Sequence, residues 1–212
     1  MDYSTAEKIV KKRTESPAFT GEKVGLLFWI NILLHVFGYF FGNNVIFRGA
    51  TIAFCMINFV LFWFTKGHWS KFKGLILVGT AFLLTSISFY HLTCSFVIHS
   101  ARSHEIHWII YIAPLLLSAV CYIIAPFVMP RFAVRQVASS VDVPFDVMKK
   151  TIASASVTSA LLATSLAVIR SKGGGQIDVD FHLFYSSLAL VCIPWAVVLM
   201  YYCAYLVRKF DL

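Results

Sequence analysis

Two of the seven histidines, His35 and His91, sit deep inside long apolar stretches, and they are the residues of this chain best placed to do chemistry. Neutral imidazole ligates metals and carries protons near neutral pH. The two fall at similar depth on helices expected to run in the same direction, so they form a possible axial pair for haem. The competing reading is simpler: imidazoles hydrogen-bonded between helices as packing groups. A lone pair with no second pair at regular spacing favours packing. Asn31 lies four residues before His35, which puts both on one helical face. Asn58 occupies the next apolar stretch, and Thr85, Ser86, Ser88 and Ser95 surround His91 in the third. Asn31, His35, Asn58, Ser88 and His91 are therefore expected to join helices, at about 1 kcal/mol per interhelical hydrogen bond in lipid.

The other candidates are weaker. His99, His104 and His107, with Glu105 among them, gather in one connection and make a conceivable zinc site, but their spacing fits no familiar ligand pattern. The five cysteines all fall in apolar stretches without a C-x-x-C pair, so they read as small hydrophobes rather than a disulfide framework. Gly173-Gly174-Gly175 is not followed by Gly-Lys-Ser/Thr and reads as a tight turn, not a phosphate cradle. Apart from Arg48 and Arg170 near the ends, no charged residue falls in the apolar stretches, which disfavours ion-coupled transport.

The elements that must position these residues are transmembrane helices. Six apolar stretches, 24–42, 45–65, 74–97, 107–129, 151–169 and 181–207, each approach or exceed the roughly 20 residues that cross a bilayer. They are continuous rather than alternating. The chain is 59% hydrophobic and 13% charged with a mean hydropathy of +0.78, outside the soluble range. The expected fold is all-α, a polytopic bundle of six transmembrane helices. Residues 1–23 form an N-terminal segment, 24–207 the membrane domain and 208–212 a tail. The first apolar stretch lacks a cleavage site of small residues and reads as a retained helix.

Charge supplies the orientation. Of the eighteen Lys and Arg, all but Arg48, Arg102, Arg170 and Lys172 fall on the side of the N-terminus, so both termini are expected in the cytoplasm. The same basic rim would attract anionic headgroups. It accounts for the net charge of +8 without invoking nucleic acid.

Finer features follow. Ser4-x-x-Glu7 reads as a capping box opening a short helix through Glu15, ended by Pro17. Residues 130–140 place Phe132, Val134 and Val137 beside Arg131 and Arg135, as expected of an interfacial segment after the fourth span. Val143-Pro144 reads as the start of the next helix. Pro114, Pro126 and Pro194 should bend spans four and six. In span five, Ala153, Ser156, Ala160, Ala163 and Ala167 make a small-residue stripe suited to close helix packing, inside the bundle or against another subunit.

Function follows from what these features favour. The leading expectation is a non-enzymatic subunit, assembly factor or scaffold of a membrane complex, with the bilayer and other membrane proteins as partners and no cofactor. A channel or carrier for a neutral or lipid-like solute is the alternative, and a haem-binding redox protein a weaker one.

Overall fold

The computed structural model describes residues 1–17, 19–41, 45–100, 108–138 and 179–212. Among these residues there are six helices and no strand: α1 (Tyr3–Thr14), α2 (Gly21–Phe41), α3 (Val45–Thr65), α4 (Lys71–Ser100), α5 (Trp108–Ala138) and α6 (Val179–Phe210). The last five are long and apolar enough to cross a membrane. Their length and composition are those of an integral membrane protein, where helices satisfy their own backbone without water. The predicted span 151–169, with Ala153, Ser156, Ala160, Ala163 and Ala167, lies outside the described residues, as do Pro144 and the Gly173–175 turn.

α2 and α4 begin earlier than hydropathy alone suggests. α2 starts at Gly21, where the Thr20 hydroxyl accepts from Lys23 N and Glu22 suits the first turn. α4 starts at Lys71 after Ser70, whose Oγ accepts from Lys73 N at 3.2 Å. The cap of α1 differs from the expected box: Asp2 is the N-cap residue, and the Ser4 hydroxyl donates to its carboxylate at 2.8 Å. Both residue types cap well, and here Ser4 holds the cap instead of being it.

A larger correction concerns residues 130–138. They do not form a separate interfacial segment; they continue α5 through Pro114, Pro126 and Pro130. Pro126 and Pro130 stand four apart, so the missing N–H of the second would have served the carbonyl of the first. A lipid-embedded helix tolerates such defects when its neighbours hold it. Here α1 does so: Met129 and Ala133 are buried with Val137 packed beside them, and Arg13 Nη2 donates to Gln136 Oε1 at 2.6 Å.

α4 and α6 form the most extensive pair; α2 packs on both α3 and α4, and α5 packs on α6. The order across the bundle is thus α3, α2, α4, α6, α5. Burial agrees with it, since 61% of the α4 span and 56% of the α6 span are buried, against 17% of α3 and 22% of α5. Lipid offers no hydrophobic drive between helices, so close contact has to supply the stability. Gly79 provides it at the centre: a Cβ there would lie 2.8 Å from the Tyr201 ring. Beside it, Thr80 Oγ1 donates its single hydrogen to Ile76 O, so the Tyr201 hydroxyl at 3.0 Å donates to Thr80. Gly25 does the same between α2 and α3, where a Cβ would come within 2.9 Å of Thr65 Oγ1.

α1 crosses the ends of α5 and α6, burying Ala6, Ile9 and Val10. Tyr3 meets Phe210 edge-on at 6.3 Å, so both ends of the chain gather at one end of the bundle. Lys66 there lies over the Phe62 and Trp63 rings, and Lys209 over Tyr205 and Phe210, as lysine stems lie along apolar surface with their charge outermost. Burial disfavours the charged form of the Arg13 guanidinium, and its bond to Gln136 offsets part of that cost.

Candidate functional site

The polar residues of α2, α3 and α4 converge in a narrow seam at mid-depth. α2 carries Asn31 and His35 one turn apart, α3 carries Asn58, Phe54 and Thr51 on one face, and α4 carries Leu84, Ser88 and His91. The layers follow directly. Asn31 Nδ2 donates to Asn58 Oδ1 at 3.2 Å, and Asn58 Nδ2 donates to Phe54 O at 2.8 Å. One turn further, His35 Nε2 and Ser88 Oγ lie 2.7 Å apart, with the His35 ring stacked on Phe54 at a centroid distance of 5.0 Å. The last layer joins Thr51 Oγ1 to His91 Nε2 at 2.7 Å. Asn31, His35, Asn58 and Ser88 are fully buried, and Thr51 and His91 nearly so.

Proton positions can be assigned in the first two layers. Ser88 has one hydrogen, and it goes to Leu84 O at 2.7 Å. Ser88 Oγ must therefore accept from His35, so Nε2 carries the hydrogen of a neutral imidazole and Nδ1 keeps a lone pair. Asn58 is fixed by its bond to Phe54 O, which turns its Oδ1 toward Asn31. Asn31 then has to present Nδ2, leaving its own Oδ1 an acceptor. Neither Asn31 Oδ1 nor His35 Nδ1 has a hydrogen-bond partner among the described residues.

All five residues that the sequence singles out within the membrane meet here. Thr51 was missed, although its spacing of seven from Asn58 puts it on the same face of α3. Thr85 and Ser86 do not join the seam; their hydroxyls donate to Ala81 O and Leu83 O of their own helix. His104 and His107, like the side chain of His99, lie outside the described residues. Among the described residues no cluster of three or more metal-ligating side chains occurs. All five cysteines are free thiols, and Cys55 Sγ lies 3.8 Å from Ile32 O as a weak donor across α2 and α3.

The geometry gives no support to a haem axial pair. Two axial imidazoles must aim nitrogens at one metal from opposite sides of a flat macrocycle. The His35 and His91 rings are instead neighbours, 5.5 Å apart and tilted by 47°, and each Nε2 faces a hydroxyl. What the seam can do is lock three helices in one rotation and register. Comparison with protein families, curated proteins and solved structures finds no match to this chain.

Proposed function

We propose that this protein is a six-span membrane subunit, assembly factor or scaffold without catalytic activity, with both termini in the cytoplasm. The observation that carries the reading is the use made of intramembrane polarity. Asn31, His35, Asn58, Ser88, Thr51 and His91 bond one another across α2, α3 and α4 instead of lining a passage. A carrier for a polar solute keeps such groups available to its cargo. Here they hold the bundle together.

Two further observations support the arrangement. α5 and α6 run in the same direction, because Gln136 and Phe210 both lie at the α1 end. Parallel neighbours call for an odd number of crossings between them, which favours a span at 151–169. Twelve of the described Lys and Arg lie in or beside the helix ends that meet there, including Lys8, Lys66, Lys71, Arg135 and Lys209, which favours a cytoplasmic placement for that end. The flanking helix α3 exposes Met56, Phe59 and Trp63 in one broad apolar face. Lipid or another membrane subunit would cover it.

Site-specific photo-crosslinking in cells tests the proposal. Crosslinkers at Met56, Phe59 and Trp63, and at positions of the Ala153–Ala167 stripe, should yield a discrete protein adduct from one of the two faces. Only lipid adducts at every position, together with solute flux in vesicles containing the purified protein, would overturn it.

A further inference from the structure

We propose that the seam between α2, α3 and α4 is a binding site for one water molecule, which donates one hydrogen to Asn31 Oδ1 and the other to His35 Nδ1. The inference goes beyond the scaffold reading and depends only on the seam itself. Hydrogen-bond bookkeeping fixes both atoms as acceptors: Ser88 gives its hydrogen to Leu84 O and so takes that of His35 Nε2, while Asn58 turns its Oδ1 to Asn31. Both acceptors belong to fully buried residues and neither is partnered among the described residues. Buried acceptors of this kind are where proteins hold internal water.

The four-residue spacing of Asn31 and His35 on α2 permits such a bridge. Residues four apart on a helix have Cβ atoms about 5–6 Å apart. One oxygen making two hydrogen bonds of about 2.8 Å reaches acceptors roughly 4.5 Å apart. The chemistry of the site also selects against other occupants. A cation would find no carboxylate, because Glu22 at the start of α2 is the only acidic residue in α2, α3 or α4. A larger donor is opposed by burial, because Asn31 Oδ1 and His35 Nδ1 are both closed off from the surface of the bundle. The ligand is thus small, neutral and supplied with two hydrogens.

Solid-state NMR of the full chain in lipid bilayers, with ¹⁵N-labelled histidine, tests this. His35 is assigned by its loss in His35→Phe. The expected spectrum shows a protonated Nε2, an Nδ1 shifted as a hydrogen-bonded lone pair, and polarisation transfer from water protons to Nδ1. In Asn31→Leu that transfer should disappear and Nδ1 should move to the position of a free lone pair. A hydrogen resident on Nδ1 would overturn the proposal. A free lone pair in the unsubstituted protein would do the same, as would a hydrogen-bonded Nδ1 without water transfer, which marks a hydroxyl from another segment as the donor. If Asn31→Leu fails to fold, the spectrum of the unsubstituted protein decides alone.

Discussion

Replacing Ser88 by alanine strips the His35 imidazole of the acceptor for its Nε2 hydrogen, a bond of 2.7 Å between α4 and α2. In a soluble core an unpaired buried donor costs about 1–3 kcal/mol. The membrane reduces this, because unfolded helices remain inserted and find other partners, so measured interhelical couplings average about 0.6 and reach about 1.7 kcal/mol. The coupling between Ser88 and His35 should fall toward the upper part of that range, since both residues are fully buried. The clean measurement is a double-mutant cycle of Ser88→Ala and His35→Phe, in which phenylalanine keeps the stack on Phe54 and removes the hydrogen bond. Unfolding equilibria in bilayers or mixed micelles should show Ser88→Ala costing roughly three- to eighteen-fold more in the parent than in the His35→Phe background. Thr93→Ala is the control, because Thr93 donates only to Phe89 O of its own helix, and it should be nearly neutral. Equal costs of Ser88→Ala in both backgrounds would refute the seam as an interhelical bond.

Other expectations are checked independently. Gly79→Leu should separate α4 from α6, because even the first added carbon would meet Tyr201 at 2.8 Å; a loss of about 1–3 kcal/mol is expected, with unchanged stability counting against the pairing. Topology reporters at the N-terminus, after Lys66, after Ser140 and at Leu212 should all report the cytoplasm, and access to Gly174 from that same side would refute six spans. The hydroxyls of Thr5 and Ser4 hold the Asp2 carboxyl down to about 2, so its contribution to the start of α1 is present above the ordinary carboxylate range. It is lost as pH falls from about 4 through about 2. Protection of the Thr5 amide, taken relative to the intrinsic exchange rate, should fall over that interval, and a pattern insensitive to Asp2→Ala would count against the cap.

The seam was legible in part because a polar atom in hydrocarbon has to find a partner, a rule that points to Asn31, His35, Asn58, Ser88 and His91 but equally to Thr85 and Ser86, which bond their own helix. Their pairing was not legible. Periodicity puts Asn31 and His35 on one face of α2, but which helix that face meets depends on packing such as Gly25 against Thr65. Thr51 escaped notice because threonine in a helix commonly satisfies its hydroxyl on its own backbone, as Thr80, Thr85 and Thr93 do. Hydropathy marked where lipid lies, whereas caps at Thr20 and Ser70 mark where helices begin. Residues 130–138 read as an interfacial segment beyond the fourth span because the sequence does not reveal that α1 braces a helix continuing past Pro130.

The position of α1 has a consequence for biogenesis. A ribosome releases Tyr3–Thr14 before the other helices described here, yet the surface that buries Ile9 and Val10 belongs to α5 and α6, and α6 is made more than 160 residues later. Until α6 is inserted, the apolar face of α1 lacks the larger part of its cover. Its docking then joins α1 to a helix made far later. Arg13 makes the closure exacting, since its hydrogen bond to Gln136 forms only when α5 has kept its helix beyond Pro130. In this protein α1 thus gains its full cover only once the bundle is complete, and chains stalled before α6 should keep Ile9 and Val10 accessible.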